Sequence, residues 1–333
     1  MGVTEKGENS ISNLRKKTMK HVLYLILFIC VHSVYCYVAA VVEYSPIIFQ
    51  GNATREEAQQ TMLKNLDYYE VKCSLNLIDH QNFIQNAKKD NAQIIVFPEG
   101  INYLTSTDRI RWTLWPRFSY KRFHFSISRV YSKCRKCIAL PFSFLMFKIP
   151  IIPCGDSSFN DRPILQRSSC LAQKYEIILV LNMGDIQPCN QSCPSDGHFQ
   201  YNTQVAFSET GQLLAKYHKS HLFFEPQFDQ PSVPDVVFFD SSFGIRFGML
   251  ICFDLMFEYP QGSLLEYGIT HFVFSSWWVN FPPVITATQV QQSNSLIKNI
   301  TILASNSGES WFNSGSGSSV FNKKRLILTK VFM

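Results

Sequence analysis

The stretch FGMLICFDLMFEYP, residues 247–260, decides the reading of this chain. Phe247, Met249, Leu250 and Ile251 form a short apolar run of strand length, and Phe253 and Asp254 bring it to a turn. Cys252 stands where the strand gives way. A cysteine inside a buried strand is ordinarily an inert core residue. One at a strand-to-loop elbow, beside an acidic residue, is placed for chemistry, because the sites of open α/β folds gather at the carboxyl ends of their strands.

Two other stretches set reactive side chains at strand ends. IIVFPEG, residues 94–100, closes the apolar run AQIIVF and sets Glu99 just beyond it. KYHKSHLFFE, residues 216–225, sets Lys219 and Glu225 after another run. Singly, a strand-end glutamate is more often a solvated cap and such a lysine a surface residue. Together with Cys252 they bring a carboxylate, an ammonium and a thiol into one chain.

The residues between them alternate strand and helix signals. YVAAVVEY, residues 37–44, is a β-type run. Thr54 with Glu57 three residues later reads as a helix N-terminus, followed by Met62, Leu63, Leu66 and Tyr69 at helical spacing. IILVL, residues 177–181, is a buried strand. Residues 204–207 and 213–217 flank Glu209-Thr210-Gly211, a hairpin turn. Strands are expected over 236–239, 246–252, 271–275 and 301–304, and helices over 260–267 and 289–298. The fold class is therefore α/β, without solenoid repeats.

The combination and order of the three reactive stretches resemble the nitrilase superfamily. The resemblance is carried by YHKSHL around Lys219, by CFD at 252–254, and by SSWWVN at 275–280. More narrowly, the chain is similar to the vanin (pantetheinase) and biotinidase branch. The supporting stretches are PCGDSSFNDRPILQRSSCLA (153–172), PSDGHFQYNT (194–203) and FFEPQFDQP (223–231), with the SGSGSSVF region near the end. It covers residues 37–110 and 151–320. It implies a four-layer α-β-β-α sandwich of the nitrilase type over 37–320, and hydrolysis of a small amide, pantetheine or a biotinyl amide such as biocytin. It further implies a Glu99, Lys219 and Cys252 triad, with Glu225 as a second glutamate holding Lys219. No metal and no nucleotide cofactor is implied. The alternative is an inactive secreted binding glycoprotein on the same scaffold, or a truncated chain.

Those residue types suit that chemistry. Amide hydrolysis is eased by splitting it into acylation and deacylation. Cys252 would attack as thiolate, Glu99 would take its proton and later activate water, and such a base works best when burial raises its pKa towards the working pH. Lys219 and the backbone N–H of Phe253 would stabilise the oxyanion. Trp277 and Trp278 are pocket-wall candidates, with core packing as the competing role.

Composition narrows the class. A hydrophobic fraction of 46% with 17% charged residues describes a globular core. The net charge of +6 misleads. Ten Lys or Arg and no Asp or Glu lie between Arg109 and Gly155, and the first 21 residues add +3, which leaves about −7 for the rest. A basic body that binds nucleic acid is thus not expected. VLYLILFICV, residues 22–31, follows Lys16, Lys17 and Lys20, and is shorter than the roughly 20 residues of a membrane span. Residues 1–36 are therefore expected to be a signal peptide, with Met19 as an alternative start, and the protein to be secreted.

Among ten cysteines, Cys154, Cys170, Cys189 and Cys193 lie in a polar, loop-like stretch and suit disulfides of undetermined pairing. Asn52, Asn190 and Asn299 are glycosylation candidates. Residues 111–148, basic and aromatic, fit neither period. Their Cys134-Arg-Lys-Cys137 lacks a partner pair for zinc. This insert and the tail at 321–333 are expected to stem from the gene model rather than from the fold.

Overall fold

The computed structural model describes residues 34–43, 83–99, 124–133, 150–189, 194–195, 197–278, 286–307, 317–322, 325–326 and 330–332, with seven positions between 57 and 67. The chain divides into two compact units. One is Tyr37–Val130 with Lys148–Met333, which carries the candidate site, and the other is Met1–Cys36 with Tyr131–Phe147. The expected signal run and the CxxC pair lie outside the described residues.

Two sheets organise the larger unit. The first contains β1 (Val34–Glu43), β2 (Ile94–Val96), β3 (His124–Lys133), β4 (Ile178–Pro188), β5 (His198–Phe207) and β6 (Leu213–His218). The second contains β7 (Phe238–Asp240), β8 (Arg246–Ile251), β9 (His271–Ser276), β10 (Thr301–Asn306), β11 (Ser319–Asn322) and β12 (Arg325–Leu326). A last strand, β13 (Lys330–Phe332), joins the first sheet, whose order is β13-β3-β1-β2-β4-β5-β6. The second sheet runs β12-β11-β10-β9-β8-β7. β1, β2 and β4 are mutually parallel, as are β8, β9 and β10, and hairpins extend both sheets.

Among the described residues, the helices α1 (Phe83–Lys89), α2 (Pro163–Tyr175), α3 (Gln261–Glu266) and α4 (Ala287–Ile297) complete the layers. α2 starts with proline at its first turn, where the missing N–H costs nothing, and ends on Glu176 at φ 48°. The backbone is also helical at Glu57, Leu63 and Leu66, whereas Thr54, Met62 and Tyr69 lie outside the described residues.

Period 2 explains the layering. Ala39 and Val41 of β1, Ile94 and Val96 of β2, and Ile178 and Val180 of β4 face one way. They meet Phe247, Met249 and Ile251 of β8, Val273 of β9 and Leu303 of β10 in a core between the sheets. The alternate residues Ala40, Val42, Ile95 and Leu179 pack with Ile84, Ala87, Leu171 and Ala172 of the helices. On the far side, Leu250, Phe272, Phe274 and Ile302 pack with Leu264 of α3 and, partly buried, Val290 of α4. Three cores separate four layers, giving the α-β-β-α sandwich of the nitrilase type. Strands buried on both faces read as continuous apolar runs, which is why IIVF and IILVL stand out.

Polar pins tie the two sheets. The Ser275 hydroxyl donates to the carbonyl of Phe97 at 2.7 Å and accepts from the Gln204 amide at 2.8 Å. The Ser305 hydroxyl donates to the carbonyl of Val42.

Two expectations need correction, and the insert adds a strand. Cys170 lies within α2 rather than in a loop, and it is bridged to Cys154 with the Cα atoms 4.8 Å apart. The strand expected over 246–252 stops at Ile251, because Cys252 turns into a 3-10 helix. Within the insert, where no period is legible, His124–Lys133 is a strand of the first sheet, paired with Lys330–Phe332 of the tail. Its alternation, Phe125-Ser126-Ile127-Ser128, breaks at Arg129 and is too short to stand out as a strand period.

Candidate active site

The hairpin of β5 and β6 turns at residues 208–212, where the amide of Gly211 bonds the carbonyl of Ser208 at 2.9 Å. Gly211 has φ 78°, and a Cβ there would lie 2.8 Å from the carbonyl oxygen of Ser169, so glycine is required twice over. The hairpin returns β6 so that Lys219 leaves it at the same edge where β2 releases Glu99. The amide of Lys219 donates to the carbonyl of Asn202 at 2.8 Å.

Glu99 is fully buried and bridges the sheets. Its amide donates to the carbonyl of Ser276 at 3.3 Å, and its Oε2 accepts the amide of Trp277 at 2.9 Å. Its Oε1 accepts from Lys219 Nζ at 2.7 Å and from Asn202 Nδ2 at 2.7 Å. Lys219 Nζ donates also to Glu225 Oε2 at 2.7 Å. Glu225 Oε1 accepts from Asn202 Nδ2 at 2.7 Å, and its Oε2 takes the amide of Phe223 at 3.1 Å. Burial works against the Lys219 charge, but Glu99 and Glu225 outweigh it and hold the ammonium well above its usual pKa. Burial also pushes Glu225 up, against the pull of Lys219.

Cys252 follows β8 at φ 44°, a left-handed conformation uncommon outside glycine, so the thiol is carried on a sharp elbow. It is a free, buried cysteine. Glu99 acts on its thiol. Burial first, and then the negative charge of Glu99, raise its pKa well above the ordinary value, while Lys219 pulls the other way. The thiol is therefore neutral near pH 7, with a carboxylate in contact to receive its proton.

Asp254 braces the elbow. It is fully buried, and its Oδ2 accepts the amide of Ile251 at 3.1 Å and the Tyr217 hydroxyl at 2.8 Å. Its Oδ1 accepts the amide of His221 at 2.9 Å. The His221 ring stacks on Phe257 with centroids 3.8 Å apart, and the rings of Phe253 and Phe223 lie 5.0 Å from one another.

The structure thus gathers Glu99, Lys219, Glu225 and Cys252, which the sequence singles out. Trp277 touches Glu99 through its main chain. Trp278 is tied by its amide to Asn306 Oδ1 at 2.8 Å, and its ring packs into the core between the sheets and that beneath α3 and α4. Asn299 is exposed in the turn after α4, at φ 57°, while Asn52 and Asn190 lie outside the described residues. Cys189 is also disulfide-bonded, and Cys193 lies outside the described residues. Among the described residues, no three His, Cys, Asp or Glu are grouped to hold a metal, and no helix is long and apolar enough to cross a membrane.

Sequence reasoning missed Asn202 and Asn182. Asn182 Nδ2 donates to Asn202 Oδ1 at 2.6 Å. The signal was available: Ile178, Val180 and Asn182 share one face of β4, Ala206, Gln204 and Asn202 one face of β5, and both faces turn polar towards the same end.

Residues 58–260 match the family model described as carbon-nitrogen hydrolase. A biotinidase of Takifugu rubripes is 34% identical over 283 residues, covering 81% of this chain and 48% of that protein. A pantetheinase of Sus scrofa is 34% identical over 293 residues, covering 84% and 50%. The chain spans about half the length of the curated relatives it matches. Among solved structures, an amidase from Nesterenkonia sp. AN1 superposes with a TM-score of 0.51 at 13% identity, covering 89% of this chain and 91% of that one. Nit3 of Saccharomyces cerevisiae, a member of the nitrilase superfamily, superposes with a TM-score of 0.51 at 17% identity, covering 88% and 84%. At those identities the two structures speak for the fold alone, and it is the match across 58–260 that shows this chain to belong to the carbon-nitrogen hydrolase family.

Proposed function

We propose that the protein is a secreted amidohydrolase that cleaves a small linear amide through a thioester on Cys252. The observation that carries this reading is the Glu99 carboxylate, buried and shared between the Lys219 ammonium and the Cys252 thiol.

The thiol attacks the amide carbon as its proton passes to Glu99, so no free thiolate need accumulate. The C–N bond of the tetrahedral intermediate breaks as Glu99 returns that proton to the leaving amine. Water, deprotonated by Glu99, then attacks the thioester carbon; the C–S bond breaks, the acid leaves and the thiol is restored. Lys219 stays cationic throughout and, with the amide of Phe253, stabilises the developing oxyanion. Glu225 holds Lys219 from the other side. No step requires a metal or nucleotide.

The named relatives, a biotinidase and a pantetheinase, suggest substrates with a secondary amide between flexible chains: a biotinyl amide such as biocytin, or pantetheine. Residues 1–36 would serve as the export signal, and exposed Asn299 as a glycan site in the secreted protein. The test is to incubate the purified protein with both substrates and measure amine release. Turnover of either supports the reading. Turnover of neither, with Cys252 unreactive to a thiol probe, favours a binding glycoprotein on the same scaffold.

A further inference from the structure

We infer that Asn202 is a positioning residue that splits its amide between the two glutamates and so sets the pH at which the Glu99 and Cys252 pair becomes competent. This inference rests on the reading of the site as hydrolytic.

The geometry is specific. Asn202 Nδ2 has two hydrogens, and it lies 2.7 Å from Glu99 Oε1 and 2.7 Å from Glu225 Oε1. Its Oδ1 is engaged by Asn182 Nδ2 at 2.6 Å, which decides which end of the amide faces the carboxylates. Its main-chain carbonyl holds the amide of Lys219. Asn202 is itself 3% exposed, so bulk water does not compete for these bonds.

The charge balance gives that amide its role. The titratable groups it donates to are Glu99, from the end of β2, and Glu225, from the segment after β6; Lys219 bonds both of these, and Glu99 in turn acts on Cys252 at the end of β8. Two carboxylates share one ammonium, so one negative charge is left over in a buried site. The one Lys219 ammonium donates to both Glu99 Oε1 and Glu225 Oε2. Asn202 adds a neutral donor to each carboxylate without cancelling the charge that Glu99 needs as a base. A lysine in its place would neutralise the base, and an aspartate would add a third carboxylate.

The full-length protein carrying Asn202→Ala tests this. A hydrogen bond to a charged group is worth roughly a tenfold to hundredfold change. The acid limb of the kcat/KM profile should therefore move up by about one pH unit or more, with kcat falling more than KM rises. Asn202→Asp should move it further. The same profile should be read from the rate of Cys252 alkylation by iodoacetamide, which requires no amide turnover. If the wild type hydrolyses no amide but its alkylation limb moves in Asn202→Ala, the hydrolytic reading fails and the positioning role stands. Should Asn202→Ala not fold, Asn182→Ala retains both glutamate bonds but frees the amide to rotate, and a smaller move in the same direction is expected. An acid limb unmoved in whichever variant folds, with activity merely scaled down at every pH, would overturn the inference.

Discussion

Asp254 Oδ1, two residues beyond Cys252, accepts the main-chain N–H of His221, two residues beyond Lys219, at 2.9 Å. The elbow and the lysine segment thus share one buried carboxylate, which also takes the amide of Ile251 and the hydroxyl of Tyr217. Asp254→Ala leaves these donors without their acceptor, at about 1–3 kcal/mol for each that is buried. A stability loss of at least about 3 kcal/mol is expected from urea unfolding, with Asp254→Asn intermediate. Equal midpoints for Asp254→Ala and wild type would contradict the bracing role.

Cys252→Ala should abolish amide hydrolysis, since no other group forms the acyl intermediate. Cys252→Ser should be nearly as inactive, because a hydroxyl is much harder to deprotonate than a thiol. Lys219→Ala should lower turnover about 10²–10³-fold, with binding less affected. Glu99→Gln should slow both half-reactions. Intact-mass measurement after rapid quenching reads the acyl group on Cys252. A wild type that turns over but never carries that mass would remove the covalent step.

Asp185 on β4 predicts a pH effect on stability. Burial opposes its charge, but hydrogen bonds from His218 and Lys216, at 3.0 and 2.7 Å, outweigh it and hold the carboxyl well below the usual range. A carboxyl depressed in the folded state stabilises the fold above the unfolded pKa, about 3.9, and loses that contribution as pH falls through the folded value. Asp185→Asn should therefore be less stable than wild type at pH 7, by about 1 kcal/mol for a partly exposed pair. The gap should close below about pH 4. A gap that widens on acidification would reverse the sign and the argument.

The Cys154–Cys170 bridge closes a short loop onto α2, with a sequence separation of 16. Constraint of the unfolded chain by a loop of this size is worth about 3 kcal/mol. The Cys154→Ala, Cys170→Ala double variant should show a lowered melting temperature in calorimetry, with Cys252 alkylation unchanged while the fold persists. An undiminished melting temperature would mean that the bridge is energetically idle.

The sequence by itself determined the buried strands and the reactive ends. Period 2 and runs such as IIVF, IILVL and FGMLI are local properties, and strands buried on both faces declare themselves by continuous apolarity. Glu99 and Cys252 could be assigned to strand ends for the same reason. Only the tertiary structure decided that Glu99 and Lys219, 120 residues apart in sequence, meet at 2.7 Å. That distance depends on strand order, hairpin register and the docking of two sheets, none of which is written in any one segment. Asn202 illustrates the limit. It is one of several polar residues in HFQYNTQVAF, and a face that turns polar does not say which of them reaches the glutamates; its role exists only because β5 brings that face to the end of the sheet where β2 and β6 release their charged residues. The pairing of Cys154 with Cys170 was likewise settled by the helix that turns Cys170 towards its partner, since spacing alone leaves several pairings open.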